Sequence, residues 1–465
     1  MFWDRERELG FLEKEYRKPG GSLMVVYGRR RVGKTTLLKE FMADKPALYF
    51  LADQQLETEQ RRRFQETLAS FLADPLILGV EFKNWDTLFA YLEQHASFER
   101  KVVLVLDEFQ YLARANPAFP SILQRLWDER WRERNVFLLL CGSLVGMMYN
   151  TTLSYQSPLY GRRTGQIRLR PLSFVDYGGV FPQRSFNQQV ELYSVTGGVP
   201  KYIEAFAGEN DLLTLLTEQV LDRHGPLYDE PHFVLSEEIS EGATYFSILR
   251  AIAHGERKVG KIAGLLEVQT NRLSRYLRTL IDLDLLDHRV PITETQPEKS
   301  KRGLYFLADQ FFRFWFHYVF PNRSYLEVGN VDYVRRKIED SFDQYVSLAF
   351  EECCRQHLWH LMEQGKLPFT LQRIGAWWSK DAEIDVVGLN EETGDIVFGE
   401  CKWSRQPVAM ATLAALRDKA RCVDWRSDQR QEHFVLFSRR GFDQELLDAA
   451  RRREVILFSE GERRL

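Results

Sequence analysis

The chain has 465 residues, with 63 basic and 66 acidic side chains for a net charge of −3, and is 44% apolar and 13% aromatic. Its length suits about three domains. The apolar share excludes a disordered or fibrous chain, and the charge balance excludes a uniformly cationic nucleic-acid coat while leaving local basic faces open. The N-terminal stretch MFWDRERELG is charged where a signal peptide would be apolar. No apolar run reaches the ~18 residues that cross a bilayer, so a soluble, cytoplasmic protein without membrane contact is expected. Five cysteines, at 141, 353, 354, 401 and 422, form no CxxC pair and are expected to be reduced, mostly buried thiols.

In LMVVYGRRRVGKTTLLKEF, residues 23–41, an apolar strand runs through a glycine-bounded loop into a helix. Gly28, Gly33, Lys34 and Thr35 fill the fixed positions of GxxxxGK[ST], the loop that binds a nucleoside triphosphate. Glycines let consecutive backbone N–H groups turn inward, Lys34 can reach the outer phosphates, and the Thr35 hydroxyl can ligate magnesium at the helix N-terminus. The cofactors expected are ATP and Mg2+, with Gly28, Arg29, Arg30, Arg31, Val32, Gly33, Lys34, Thr35 and Thr36 around the phosphates.

From residue 23 to about 170, the strand candidates LMVVY, ALYFLA, KVVLVLDEF and NVFLLLCGS alternate with amphipathic helical stretches, the pattern of a parallel sheet covered by helices. KVVLVLDEF ends in Asp107 and Glu108, at the edge where α/β sheets present ligands. Read as a Walker B strand, it places Asp107 on the magnesium and Glu108 as the general base for the attacking water. Ser143, after Gly142, ends the next strand where a sensor of the γ-phosphate would sit; its plain reading is a turn serine. Arg162 and Arg163 are arginine-finger candidates.

The ordered segments FWDRERELGFL, GRRRVGKTT, VLVLDEFQYL, LLLCGS, PLYGRRTG and SVTGGVPKYI resemble the archaeal and bacterial P-loop ATPases of the AAA-related STAND group. Members similar to this chain carry a winged-helix segment and a C-terminal nuclease-type domain. The resemblance implies that Gly197, Gly198 and Pro200 form a helical-lid motif near the nucleotide and that the stretch from Phe2 to Arg5 borders the adenine. Without it, the two glycines and the proline read as a helix stop and restart.

Within residues 244–307, YFSILRAIAHG, KVGKIAGLLE and TNRLSRYLRTLIDLDLL read as three short helices, followed by a turn-rich charged stretch ending in GLYFLAD. Three helices and a β-wing make a winged helix-turn-helix. Thr270 or Asn271 is expected to cap the third helix, whose Arg272, Arg275 and Arg278 recur every three residues and would turn one basic face toward DNA phosphates. The alternative is a solvated face on a module that packs against its own ATPase.

QFFRFWFHYVFP reads as a buried helix, and a new domain is expected from near residue 335. Its helix SFDQYVSLAFEECCRQHLWHL carries Glu351 and Glu352, and AEIDVVGLNEETGDIVFGECKWS gives two strands joined by an ETGD turn. Alternation along the strands puts Glu383 with Asp385 and Glu400 with Lys402. This resembles the PD-(D/E)xK nuclease core. The resemblance implies that Asp385 and Glu400 are ligands for Mg2+ or Mn2+, Lys402 is the catalytic lysine and Glu351 is an added helix acid. ExK recurs at Glu81 with Lys83 and at Glu256 with Lys258, outside any such hairpin. Carboxylates within apolar strands are costly unless they bind something.

The expected architecture is α/β: a P-loop NTPase core with a parallel sheet over residues 1–185, a helical lid over 186–240, a winged helix-turn-helix over 241–325 and a restriction-endonuclease-like domain over 335–465. The expected function is a magnesium-dependent ATPase whose cycle controls the winged-helix and nuclease-like parts, acting on nucleic acid, DNA ahead of RNA. The competing reading is a signalling switch or scaffold that assembles with protein partners or itself, its C-terminal carboxylates inert.

Overall fold

The structure, a computed structural model, describes residues 5–239 and 242–464. The chain forms two compact units, Met1–Arg170 and Pro171–Leu465. Among the described residues no helix is long and apolar enough to cross a membrane.

The first unit is built on strands β1 (Ser22–Tyr27), β2 (Ala47–Leu51), β3 (Val102–Asp107), β4 (Val136–Gly142) and β5 (Gly165–Arg168), in spatial order β2-β3-β4-β1-β5. Every pairing is parallel. β1, β3 and β4 are almost wholly buried, as uninterrupted Val/Leu runs require when helices cover both faces. Alternate residues serve opposite faces: Leu23, Val25, Leu104 and Leu138 meet Phe64, Trp85 and Phe89, while Met24, Val26, Val105 and Leu139 meet Leu37, Leu38 and Phe41 of the helix Lys34–Met42. β4 lies between β1 and β3, so the loop after β1 and the acids after β3 are separated by one strand.

The second unit opens with helices. Phe174–Val180 and Phe186–Thr196 each begin with a reciprocal capping box, Ser173 with Asp176 and Ser185 with Gln188. Gly197 ends the second of these with φ +54°, and Pro200 starts the helix Pro200–Ala205 in its first turn, the stop and restart read from sequence. Gly198 is there for space: the Leu172 N–H donates to its carbonyl at 2.7 Å, and a Cβ on Gly198 would stand 1.7 Å from the Leu172 carbonyl oxygen.

Helices Gly242–Ala253, Val259–Leu265 and Thr270–Asp282 follow, then the antiparallel hairpin β6 (Leu286–Arg289) and β7 (Leu304–Leu307). The third helix is capped differently from expectation. Gln269 occupies the N-cap with no side-chain cap bond; Thr270 and Asn271 lie one and two residues inside the helix, and Asn271 accepts from the Arg272 N–H instead. QFFRFWFHYVFP is helical and mostly buried, with Phe311, Phe312, Phe314, Trp315 and Phe316 all inaccessible to solvent.

A 33-residue helix, Val331–Glu363, leads into a six-stranded sheet. Its strands are β8 (Arg373–Trp378), β9 (Glu383–Leu389), β10 (Asp395–Lys402), β11 (Gln431–Ser438), β12 (Ile456–Ser459) and β13 (Glu462–Arg464), in order β13-β12-β11-β10-β9-β8. β10, β11 and β12 run parallel, joined through the helices Met410–Arg421 and Gln444–Arg451, while β8, β9 and β13 are added antiparallel. Ile384, Val387, Phe398 and Leu436 pack against Leu413, Leu416 and Leu446 in its core. The five cysteines are free, Cys422 exposed and the others buried.

Candidate functional site

The loop from β1 to the helix Lys34–Met42 is shaped by local sterics. Gly33 sits at the helix N-cap with φ +90°, and Arg31 also takes a left-handed conformation, at +72°. A Cβ on Gly28 would lie 2.2 Å from the Leu169 carbonyl oxygen. Arg29 and Val32 are buried beneath the loop, Arg30 reaches the Tyr111 hydroxyl at 3.0 Å, and Thr35 and Thr36 stand exposed at the helix N-terminus. Lys34 folds back: its Nζ donates to the carbonyls of Gly28 at 2.8 Å and Arg29 at 3.0 Å. The loop is held from behind by Arg5, which donates to the Val32 carbonyl at 3.2 Å and the Arg170 carbonyl at 2.7 Å. Phe2–Asp4, the rest of the expected adenine-side stretch, lie outside the described residues.

Across β4, the acids at the end of β3 complete the site. Asp107 is 1% exposed. Its Oδ2 accepts from the Thr35 hydroxyl at 3.0 Å and the Tyr49 hydroxyl at 2.7 Å, and Oδ1 accepts from the Glu108 N–H at 2.9 Å. Burial, then the Asp107 charge, push the Tyr49 hydroxyl well above its ordinary pKa, so it stays a donor. Glu108 adopts φ +53°, a costly conformation for a non-glycine residue. Its Oε2 accepts from Ser143 Oγ at 2.7 Å, from the Ser143 N–H at 3.3 Å and from Gln110 Nε2. Sequence placed Thr35, Asp107, Glu108 and Ser143 in one site, and the structure joins them by hydrogen bonds. It missed Tyr49 and Gln110, which only the strand order and the turn after β3 bring in. Arg162 is engaged with Asp128, its Nε donating to both carboxylate oxygens at 2.9 Å. Arg163 lies over the Tyr160 ring. Pro200 belongs to the second unit.

The C-terminal acids form a separate constellation. Antiparallel pairing of β9 with β10 is registered through Gly399↔Val386, and one step further puts Glu400 opposite Asp385 on the same face. Asp385 Oδ2 accepts from the Cys401 N–H at 2.9 Å. Glu400, 6% exposed, accepts from Lys402 Nζ at 2.8 Å and from Lys419 Nζ at 2.9 and 3.1 Å. Burial, then the Glu400 charge, push Asp385 up to about 6. Burial, then the Asp385 charge, push Glu351 up to about 8. Burial would raise Glu352 too, but Arg355 and Arg289 together bring it down to about 2. Glu383 is exposed at the start of β9. Among the described residues no group of three or more His, Cys, Asp or Glu side chains is arranged to hold a metal. Lys419, on the helix Met410–Arg421, is a partner that sequence alone did not single out.

Comparison with known proteins agrees with the first unit. Residues 2–206 match the family described as "ATPase domain predominantly from Archaea", and residues 315–414 match a family of archaeal and bacterial proteins of unknown function. The uncharacterized protein MJECL04 of Methanocaldococcus jannaschii is 33% identical over 403 residues, covering 87% of this chain and 88% of that protein. The uncharacterized ATP-binding protein MJ0423 of the same organism is 49% identical over 45 residues, 10% of this chain and 76% of that one. Among solved structures, the Walker-type ATPase PABY2304 of Pyrococcus abyssi aligns over 68% of this chain and 96% of its own, with TM-score 0.49 and 20% identity.

A parallel sheet carrying a phosphate loop on one strand and an acidic pair at the end of another defines the P-loop ATPases. The chain belongs to the family of MJECL04, and its residues 2–206 form an archaeal ATPase domain of the P-loop type.

Proposed function

We propose that the chain is a magnesium-dependent ATP hydrolase with Glu108 as its general base. The observation that carries this is the continuous hydrogen-bonded path Thr35–Asp107–Glu108–Ser143. A threonine hydroxyl and a carboxylate oxygen 3.0 Å apart, at a helix N-terminus, are hard oxygen donors of the kind Mg2+ takes. Thr35 and Asp107 would hold the ion, which when bound offsets charge on the phosphate oxygens. Lys34 Nζ exchanges its two carbonyl partners for phosphate oxygens, and the backbone N–H groups of residues 28–36 cradle the phosphates. Glu108 takes the proton of the attacking water, while Ser143 and Gln110 fix its direction. The test is phosphate release from ATP by the full chain: turnover that depends on Mg2+ and is lost with Lys34→Ala supports the reading, and turnover unaffected by a chelator refutes it.

The second unit supports an extension of that reading, in the STAND manner, with residues 186–240 as a lid carrying Pro200, 241–325 as a winged helix-turn-helix and 335–465 as a nuclease-like domain. Arg272, Arg275 and Arg278 are all exposed on the third helix, as contacts to nucleic-acid phosphates require. The opposed Asp385 and Glu400, beside Lys402, are suited to hold Mg2+ or Mn2+, because opposed carboxylates repel one another until a cation lies between them. Lys402 would steady charge on a scissile phosphate. Labelled single- and double-stranded DNA and RNA, incubated with either metal and with or without ATP, test this: cutting lost in Lys402→Ala is the expected result. One observation favours the switch reading instead, because Glu400 is fully engaged by Lys402 and Lys419; nucleotide-dependent change in size or partner binding without cutting would establish it.

A further inference from the structure

The second unit holds a cavity of about 530 Å3. It is lined by the end of the helix Gly242–Ala253, the hairpin β6–β7, the long helix Val331–Glu363, β8 and β9. Four arginines, Arg257, Arg289, Arg313 and Arg355, line it. Arg257 and Arg289 lie over the Phe306 ring at 4.4 and 4.8 Å, and Arg313 lies over Tyr345 at 4.3 Å. Arg289 is tied to Asp287 at 2.7 Å and Glu352 at 3.6 Å, and Arg313 donates to the Tyr345 carbonyl at 3.0 Å. Arg257 has no hydrogen-bond acceptor or ion-pair partner for its guanidinium among the described residues, although it is half-buried. Burial lowers its pKa, and the Glu383 and Glu351 charges offset this only in part. A desolvated, unpaired guanidinium is costly unless an anion completes it.

Glu351, Glu352 and Glu383 line it as well, with Arg355 beside Glu351 at 3.9 Å and Glu352 at 3.0 Å, and the Glu351 carboxyl is near enough to Asp385 to feel its charge. Arginines and carboxylates thus line one space together. Its size falls in the range of about 300–1,000 Å3 that engulfs a ligand of drug size, which admits one or two nucleotides and not a duplex. Guanidinium planes and the Trp378 ring, which also lines it, are flat faces on which unpaired bases stack.

We infer that this cavity receives one or two nucleotides of a single-stranded nucleic acid, with Arg257, Arg289 and Arg313 on the phosphates and Trp378 on a base. The backbone of the strand is thereby led to Glu351 and Asp385. The inference rests on the nuclease-like reading for what happens next, but the binding itself does not.

The test is fluorescence anisotropy of labelled hexathymidylate on the full chain, without ATP and in chelator, so that neither hydrolysis nor metal-dependent cutting contributes. The hexamer should bind more tightly than a duplex of equal length. Arg257→Gln should weaken it about tenfold and reduce the salt slope by roughly 0.7, the value for one lost single-strand phosphate contact. Leu348→Trp, at a position 40% exposed on the cavity rim, should weaken binding without changing charge, which separates occlusion from any misfolding of the arginine variant. Binding that survives both substitutions overturns the inference. So does thymidine monophosphate competing as well as the hexamer, which would make the cavity a small-anion site. Absence of cutting when metal is restored refutes the nuclease-like reading alone and leaves strand binding in place.

Discussion

Ser143 Oγ donates to Glu108 Oε2 at 2.7 Å, tying the tip of β4 to the residue just past β3. Any movement of β4's end is therefore felt at the Glu108 carboxylate, the proposed general base. Ser143→Ala removes this hydroxyl and leaves Gln110 to orient Glu108. ATP affinity should hold, and turnover should fall about tenfold, in line with loss of one positioning hydrogen bond of about 1–1.5 kcal/mol. Equal kcat for the two proteins would show that Ser143 is only a turn residue.

Gly198→Ala should unfold the second unit more easily. The added methyl meets backbone at Leu172, at 1.7 Å, and backbone cannot yield as a side chain can. A cost of at least about 3 kcal/mol is expected, a fall in Tm of roughly 5–10 °C for a unit this large. Thermal melting within 2 °C of wild type would contradict the close approach.

His357 packs edge-on to Phe186 at 5.9 Å and Phe458 at 6.0 Å, and burial carries its pKa down from 6.5 to about 4. The unfolded chain therefore binds a proton that the folded chain refuses between these two values. This contribution is fully present above about pH 6.5 and is lost as pH falls toward 4, on the order of 3 kcal/mol in total. His357→Phe should flatten that acid limb in urea titrations; an identical limb would assign it to other groups.

Metal should raise the melting temperature of the full chain in the absence of nucleotide, by up to about 2.7 kcal/mol of stabilisation at a hundredfold excess over Kd. Asp385→Asn should erase most of the Mn2+ effect, because it removes one of two opposed carboxylates. An undiminished shift would place the bound ion elsewhere.

The phosphate loop was legible in the sequence because its chemistry is local: Gly28, Gly33, Lys34 and Thr35 act within eight residues of one another. Asp107 and Glu108 were legible because a carboxylate at the end of an all-apolar strand is conspicuous. Tyr49 was not, since its hydroxyl reaches Asp107 only through the β2–β3 pairing, and an isolated tyrosine in an apolar strand reads as core. Lys419 escaped for the same reason, coming from a helix 19 positions beyond Glu400. β8 was overlooked because RIGAWW is half-buried without clean alternation. The cap of the third helix was misread because Thr270 and Asn271 are good capping types, while Gln269, with no cap bond, holds the position.

The most direct test of the account is Glu108→Gln, measured for ATP binding and for phosphate release in Mg2+. The substitution keeps the shape and the Ser143 contact but removes the base. ATP affinity within about twofold of wild type, with turnover reduced 10²-fold or more, is the expected result. Turnover unchanged in Glu108→Gln would contradict the assignment of Glu108 as the group that takes the proton from water.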